Sequence, residues 1–97
     1  MNSYTFDNLV SSLQKGGADK NKVDSIKTTV QAAKAVSASQ MAQLLKFVSF
    51  SAGKLEAAKA GYQYTTDPYS YGNIVGEAFS FSGDKAKLNA YIRDNSH

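Results

Sequence analysis

The sequence predicts an all-α fold: six short helices, forming three degenerate helix–turn–helix units packed into one compact domain. Three observations lead there. Apolar residues recur at i, i+3, i+4 and i+7 through most of the 97 residues, the period of a half-buried helix face. A short phrase occurs twice, as Asp19-Lys20-Asn21-Lys22-Val23 and, at an offset of 65, as Asp84-Lys85-Ala86-Lys87-Leu88. Glycine, proline and small polar residues interrupt the pattern so often that connections of only about 3–6 residues remain, which favours antiparallel neighbours.

The repeat extends upstream. Phe6, Leu9, Val10 and Leu13 shift by 65 onto Tyr71, Ile74, Val75 and Ala78, and Gly53-Lys54-Leu55 sits near the midpoint. Half of 65 is close to a helix-pair length, so the chain reads as three copies of one unit. The middle copy fits less cleanly. Phe50-Ser51 matches Phe81-Ser82 at an offset of 31, but Leu55 matches Leu88 at 33, so a gap falls after the serine. At this length a compact globule is favoured over an open solenoid.

Each helix has its own signals. The first carries Phe6, Leu9, Val10 and Leu13 on one face and stops at Gly16-Gly17, where glycine accepts the left-handed conformation. Asp19 is the expected N-cap of the second, with Val23, Ile26, Val30 and Ala33 facing in. Ser37 and Gln40 form an S-x-x-Q capping box for the third, whose stripe is Met41, Leu44, Leu45 and Val48. Ser51 is the expected cap of the fourth, which runs through Leu55, Ala58 and Tyr62 with Gly61 near its end. Asp67-Pro68 opens the fifth, proline standing where a missing N–H is harmless, with Tyr71, Ile74, Val75 and Ala78 inward. Gly72 and Gly76 weaken it by about 1 kcal/mol each. Ser82 or Asp84 caps the sixth, which carries Leu88, Tyr91 and Ile92, and residues 94–97 read as a frayed tail. Phe47 to Phe50 and Phe79 to Phe81 alternate as strands do. Each is too short to stand against its helical flanks and is read as a tight turn whose phenylalanines anchor the corners between helices.

Composition sets the outer bounds. Ninety-seven residues make one domain, and 42% apolar content with eleven aromatics is globular. Eleven basic residues against eight acidic give a net charge of +3, too mild to indicate a nucleic-acid face by itself. There is no cysteine, so disulfides, thiolate metal sites and cysteine nucleophiles are excluded and the redox compartment is left open. The start, Met-Asn-Ser-Tyr-Thr-Phe, has neither a basic nor an apolar stretch, so no signal peptide is expected in it. No apolar run approaches ~18 residues, so no membrane-spanning helix is expected.

One combination of residues has a counterpart elsewhere. Gln40, Leu44-Leu45, Phe47, Phe50-Ser51 and Lys54-Leu55, followed by Asp67-Pro68, Asn73-Ile74-Val75, Phe79-x-Phe81-Ser82 and Lys85, resemble the family called domain of unknown function 4476. The resemblance covers roughly residues 4–92 and implies a small helical domain. The chain departs from the family pattern in carrying Ser49 and Ala52-Gly53 where acidic residues are common. No activity is established for that family, so the resemblance carries over no catalytic residue.

The remaining chemistry is sparse. His97, the last residue, is the only histidine, and a chain with one histidine and no cysteine lacks most acid–base and nucleophilic constellations. Asp7, Asp19 and Asp24 are more simply caps and solvated groups than a carboxylate pair, so no enzyme activity is expected. Asp19-x-Asn21-x-Val23 opens like a calcium loop. It lacks the glycine at the sixth position and has Val30 where a glutamate ligand is needed, so no calcium site is expected. No metal or other cofactor is expected.

Two groups are candidate binding residues. Lys20, Lys22, Lys54, Lys85 and Lys87 fall near helix starts, where ammonium charge and free N–H groups both favour an anion, against a cost of about 0.3–1 kcal/mol from the helix dipole. The bland alternative is a solvated corner. Tyr62, Tyr64, Tyr69 and Tyr71 crowd around Asp67, and tyrosine is enriched at binding surfaces. The bland alternative is that Tyr62 and Tyr71 are core. No RNA- or DNA-binding signature is present. The leading expectation is a non-enzymatic protein–protein interaction or structural module. The alternative is a binder of acidic ligands or lipid headgroups through the helix-start lysines.

Overall fold

The computed structural model describes residues 1–96 and contains six helices: α1 (Ser3–Gln14), α2 (Asp19–Ala33), α3 (Ala38–Leu45), α4 (Ser51–Tyr62), α5 (Pro68–Gly76) and α6 (Ser82–Asn95). The all-α expectation holds, and among the described residues the one β feature is an isolated parallel bridge between Val36 and Thr65. The segments 47–50 and 79–81 are turns and bends. The sixth helix runs to Asn95, so 94 and 95 are helical rather than frayed. His97 lies outside the described residues.

Helices α2, α4 and α6 pack in sequence order as one layer. In the second layer α3 packs on α5, while α1 lies against α2 at the end of the stack. The radius of gyration is 12.2 Å, close to the roughly 12.5 Å of a compact chain this long. The core between the layers is built from Leu13, Ile26, Val30, Met41, Leu44, Leu45, Val75 and Leu88 among others, most of them fully buried. Val48 is buried from the turn after α3 rather than from the helix, and Ala33, expected inward, is exposed.

The structural repeat is tighter than the sequence phrase suggests. The residues that close α1, α3 and α5, namely Lys15, Lys46 and Glu77, follow one another at a constant offset of 31. Leu13, Leu44 and Val75, each two positions earlier, are equivalent core positions and all are buried. The second helix of each unit starts at Asp19, Ser51 and Ser82, so the first and third starts stand at an offset of 63, not 65. Lys85, not Lys87, therefore stands where Lys22 and Lys54 stand. The phrase is displaced because Asp19 is the first residue of α2 whereas Asp84 is the third of α6. The first corner, Gly16 to Ala18, is one residue shorter than its counterparts and uses positive φ at Gly16 and Gly17, which makes the offset 63 instead of twice 31.

Hydrogen bonds from side chains tie successive units together at both ends of the helices. At the starts of α1, α3 and α5, Gln40 Nε2 donates to the Met1 carbonyl at 2.8 Å, and Asp67 accepts from the Ala38 N–H at 2.8 Å. The Val36–Thr65 bridge lies in the same region, with Val36 N–H donating to Tyr64 O and Thr66 N–H to Val36 O. The predicted capping box is present, Ser37 Oγ accepting from Gln40 N–H and Gln40 Oε1 from Ser37 N–H, both at 3.0 Å.

Four expected caps behave differently. Asp67 occupies the N-cap position of α5 but makes no side-chain bond to that helix. Pro68 has already removed one donor there, and the carboxylate turns instead to α3, whose first N–H groups have no partner within their own helix. Asp19, Ser51 and Ser82 are each the first helical residue, and the caps before them are Ala18, Phe50 and Phe81, none of which can accept a bond through its side chain. Asp84 lies within the first turn of α6.

A basic edge with two exposed phenylalanines

The first turns of α2, α4 and α6 line one edge of the molecule, and hydrogen bonds fix that arrangement. Asp19, at the start of α2, accepts from the N–H of Phe50 at 2.8 Å and of Ser49 at 3.1 Å, in the corner that leads into α4. Lys22 Nζ donates to the Phe47 carbonyl at 3.0 Å, and Lys54 Nζ to the Ala78 carbonyl at 2.9 Å. Each lysine leaves the first turn of one unit and meets a carbonyl just past the end of the next unit's first helix. These carbonyls lack helical partners and carry the negative end of the dipole.

That geometry changes the meaning of the candidate lysines. Lys22 and Lys54 point into the stack, where their charge is used between units rather than offered to an anion. Lys20 and Lys87 are exposed, and Lys85 is half-buried. No partner for the Lys85 ammonium is found among the described residues.

Asp19 also stands out electrostatically. The N–H groups of Ser49 and then Phe50, with a smaller contribution from Lys22, hold its carboxyl below the usual carboxylate range. Its lowered pKa is the signature of a tie between units, since a carboxylate accepting backbone N–H bonds is stabilised in its charged form.

Phe50 and Phe81 occupy equivalent places on this edge, at the caps of α4 and α6 and at the same offset of 31. They are 71% and 68% exposed, and neither belongs to the core or packs against it. The expectation that the corner phenylalanines anchor the fold therefore holds for Phe47, which packs on the core, and for buried Phe79, but not for these two. An alternating F-x-F reads as a buried pair. The signal that separates its members is position, because a residue just before the first helical one is an N-cap, where the chain turns outward.

The edge is also basic. Lys15, Lys20, Lys22, Lys46, Lys54, Lys85 and Lys87 lie in its corners and first turns, against Asp19, Glu77 and Asp84. Seven lysines to three carboxylates is a local excess of four, so the remainder of the chain, with four basic and five acidic residues, is close to neutral.

The tyrosines do not assemble into one surface. Tyr71 is fully buried and donates its hydroxyl to the Ala58 carbonyl, and burial, with smaller contributions from Tyr91 and Asp67, pushes its pKa well up. It is therefore core and cannot meet a partner. Tyr62 stacks edge-on against Tyr71 at 5.4 Å and against Tyr91 at 6.3 Å, joining α4, α5 and α6. Tyr64 is half-buried against the core. Tyr69 alone of the four is fully exposed, at the mouth of a groove of about 760 Å³ shared with Tyr62, Thr65, Pro68 and Ile92. Among the described residues no helix is long and apolar enough to cross a membrane, and no group of three or more carboxylates or histidines converges.

No curated protein and no solved structure matches this chain. The family expectation holds: the model of the family described as Domain of unknown function (DUF4476) matches residues 1–92, which is all six helices but the end of α6, and the chain belongs to that family.

Proposed function

We propose that this domain is a non-enzymatic docking module that takes an acidic partner along the edge formed by the starts of α2, α4 and α6. The observation that carries the reading is the pair Phe50 and Phe81, two large apolar side chains exposed at equivalent corners within the lysine-rich edge. Exposed apolar groups rimmed by charge are what a binding surface presents. The non-enzymatic part draws support from the two groups with displaced ionisation, Asp19 and Tyr71, since structural hydrogen bonds or burial account for both.

The reading is tested by titrating the isotope-labelled domain with poly-L-glutamate at low salt and following backbone amide shifts. Perturbations should cluster at Lys20, Phe50, Phe81 and Lys87, and fade as salt shortens the screening length. Shifts centred elsewhere, or none, would refute it.

A protein partner on the tyrosine side is a second reading, supported by Tyr69 at its groove. There, a Tyr64→Ala/Tyr69→Ala variant should lose a partner that the Lys20→Glu/Lys87→Glu variant retains. The reverse pattern would assign binding to the basic edge.

A further inference from the structure

We infer that the acidic partner of this edge is an anionic lipid bilayer, into whose headgroup region Phe50 and Phe81 insert while Lys20, Lys85 and Lys87 meet phosphate and carboxylate groups. The inference rests on the docking reading above and names the partner class. Four observations favour a bilayer over a folded protein.

First, the two rings occupy positions where they serve the fold badly. An N-cap favours Ser, Thr, Asp or Asn, which accept a bond from the helix, and phenylalanine cannot do so. The same unfavourable choice appears at both corners, with both rings out in solvent. Second, neither ring lines the groove at Tyr62 and Tyr69, the one at Leu9 and Ser25, or the one at Ala42 and Ile74. Protein hot spots seat in matched pockets with their neighbours. Two projecting rings about one helix spacing apart, roughly 10 Å, need no such match from a fluid interface. Third, the lysines flank both rings along the whole edge instead of forming one cluster. That suits a plane of negative charge, with long stems lying in the interface and ammonium groups at headgroup level. Fourth, Lys85 holds the place from which Lys22 and Lys54 bind carbonyls of the next unit, yet its ammonium meets no carbonyl among the described residues. Its stem reaches Gly76, and its ammonium remains for an external oxygen. A structure that inserts shallow aromatics and adds basic charge binds reversibly at the interface, without spanning.

The test uses the whole domain with vesicles of phosphatidylcholine, with or without one-third phosphatidylserine, in parallel with poly-L-glutamate. The chain has no tryptophan, so Phe50→Trp and Phe81→Trp each give a single fluorescent reporter. Co-sedimentation with the anionic vesicles is expected, with a blue shift of both reporters. Neutral vesicles should bind at least about tenfold more weakly, and raising salt from about 0.1 M to about 1 M should release the protein. The Phe50→Ser/Phe81→Ser variant, which places a good capping residue at both corners, should lose about tenfold or more in affinity while keeping its helical circular dichroism. Binding that this variant retains in full, or reporters that do not shift, would overturn insertion. Amide shifts at the edge with poly-L-glutamate but no vesicle binding would overturn the lipid assignment and leave the docking reading standing. Binding to neither would overturn both.

Discussion

At the scale of the residue, small differences in what a side chain touches decide its role. Gly61 lies where α4 meets the core, and a β-carbon there would come within 2.7 Å of the Tyr71 hydroxyl and 2.8 Å of Met41 Sδ. Alanine would gain about 1 kcal/mol of helix propensity, but the buried tyrosine is held by its bond to Ala58 and cannot yield. Gly61→Ala should therefore lower stability by about 1–3 kcal/mol in chemical denaturation. Gly72→Ala should not, because its nearest obstacle is the end of the flexible, exposed Asn89 side chain. A neutral or stabilising Gly72→Ala beside a destabilising Gly61→Ala is the expected pair. The same reasoning gives Asp19 a pH signature. Its folded pKa is lowered, so its contribution is fully present above the unfolded value near 3.9 and is lost as pH falls through the folded value. The stability gap between the wild type and Asp19→Ala should be widest above about pH 5 and close in more acidic solution, as read from urea midpoints across that range. A gap independent of pH would remove the carboxylate from the tie between units.

At the scale of the element, the helices were legible because their apolar stripes and breaks are strong local signals. Gly16-Gly17, Ser37 with Gln40, and Asp67-Pro68 each mark a boundary the structure keeps. What was not legible is where a polar side chain sends its bond. Asp67 and Asp19 read as caps of their own helices, yet both serve a neighbouring unit, at sequence separations of 29 to 31. Local sequence shows that a donor needs an acceptor, but not that the nearest acceptor arrives through tertiary packing. Two of the five candidate lysines, Lys22 and Lys54, differ from the local reading for the same reason. A basic residue in a first turn opposes its own helix dipole, but Lys22 and Lys54 reach the opposite end of another helix, where positive charge is favourable. Lys54→Met keeps most of the stem and removes the ammonium, so it should cost about 1–2 kcal/mol of unfolding free energy. Lys87→Met, exposed and outside this pattern, should change stability by less than about 0.5 kcal/mol. Equal effects at the two sites would remove the distinction between tying and free lysines.

At the scale of the whole molecule, three units stack so that one edge gathers helix starts, lysines and two exposed rings. The sequence displayed the ingredients of this edge in the D-K-x-K phrase and in Phe50-Ser51 and Phe81-Ser82. Its phrase-to-phrase offset of 65 placed Lys87 where Lys85 belongs, because Asp19 is the first residue of α2 but Asp84 is the third of α6. With the register corrected, the edge divides into two sets. Asp19, Lys22 and Lys54 face inward and hold the stack, while Lys20, Phe50, Phe81 and Lys87 face out. On the proposed docking reading, the outward set is dispensable for folding. The most direct test of that claim is the thermal midpoint of Phe50→Ser/Phe81→Ser. Two exposed rings replaced by two good caps should leave the midpoint unchanged or raise it by several degrees, at about 4–8 °C per kcal/mol for a domain of this size. A fall of several degrees would show that the rings anchor the corners and are not spare for a partner.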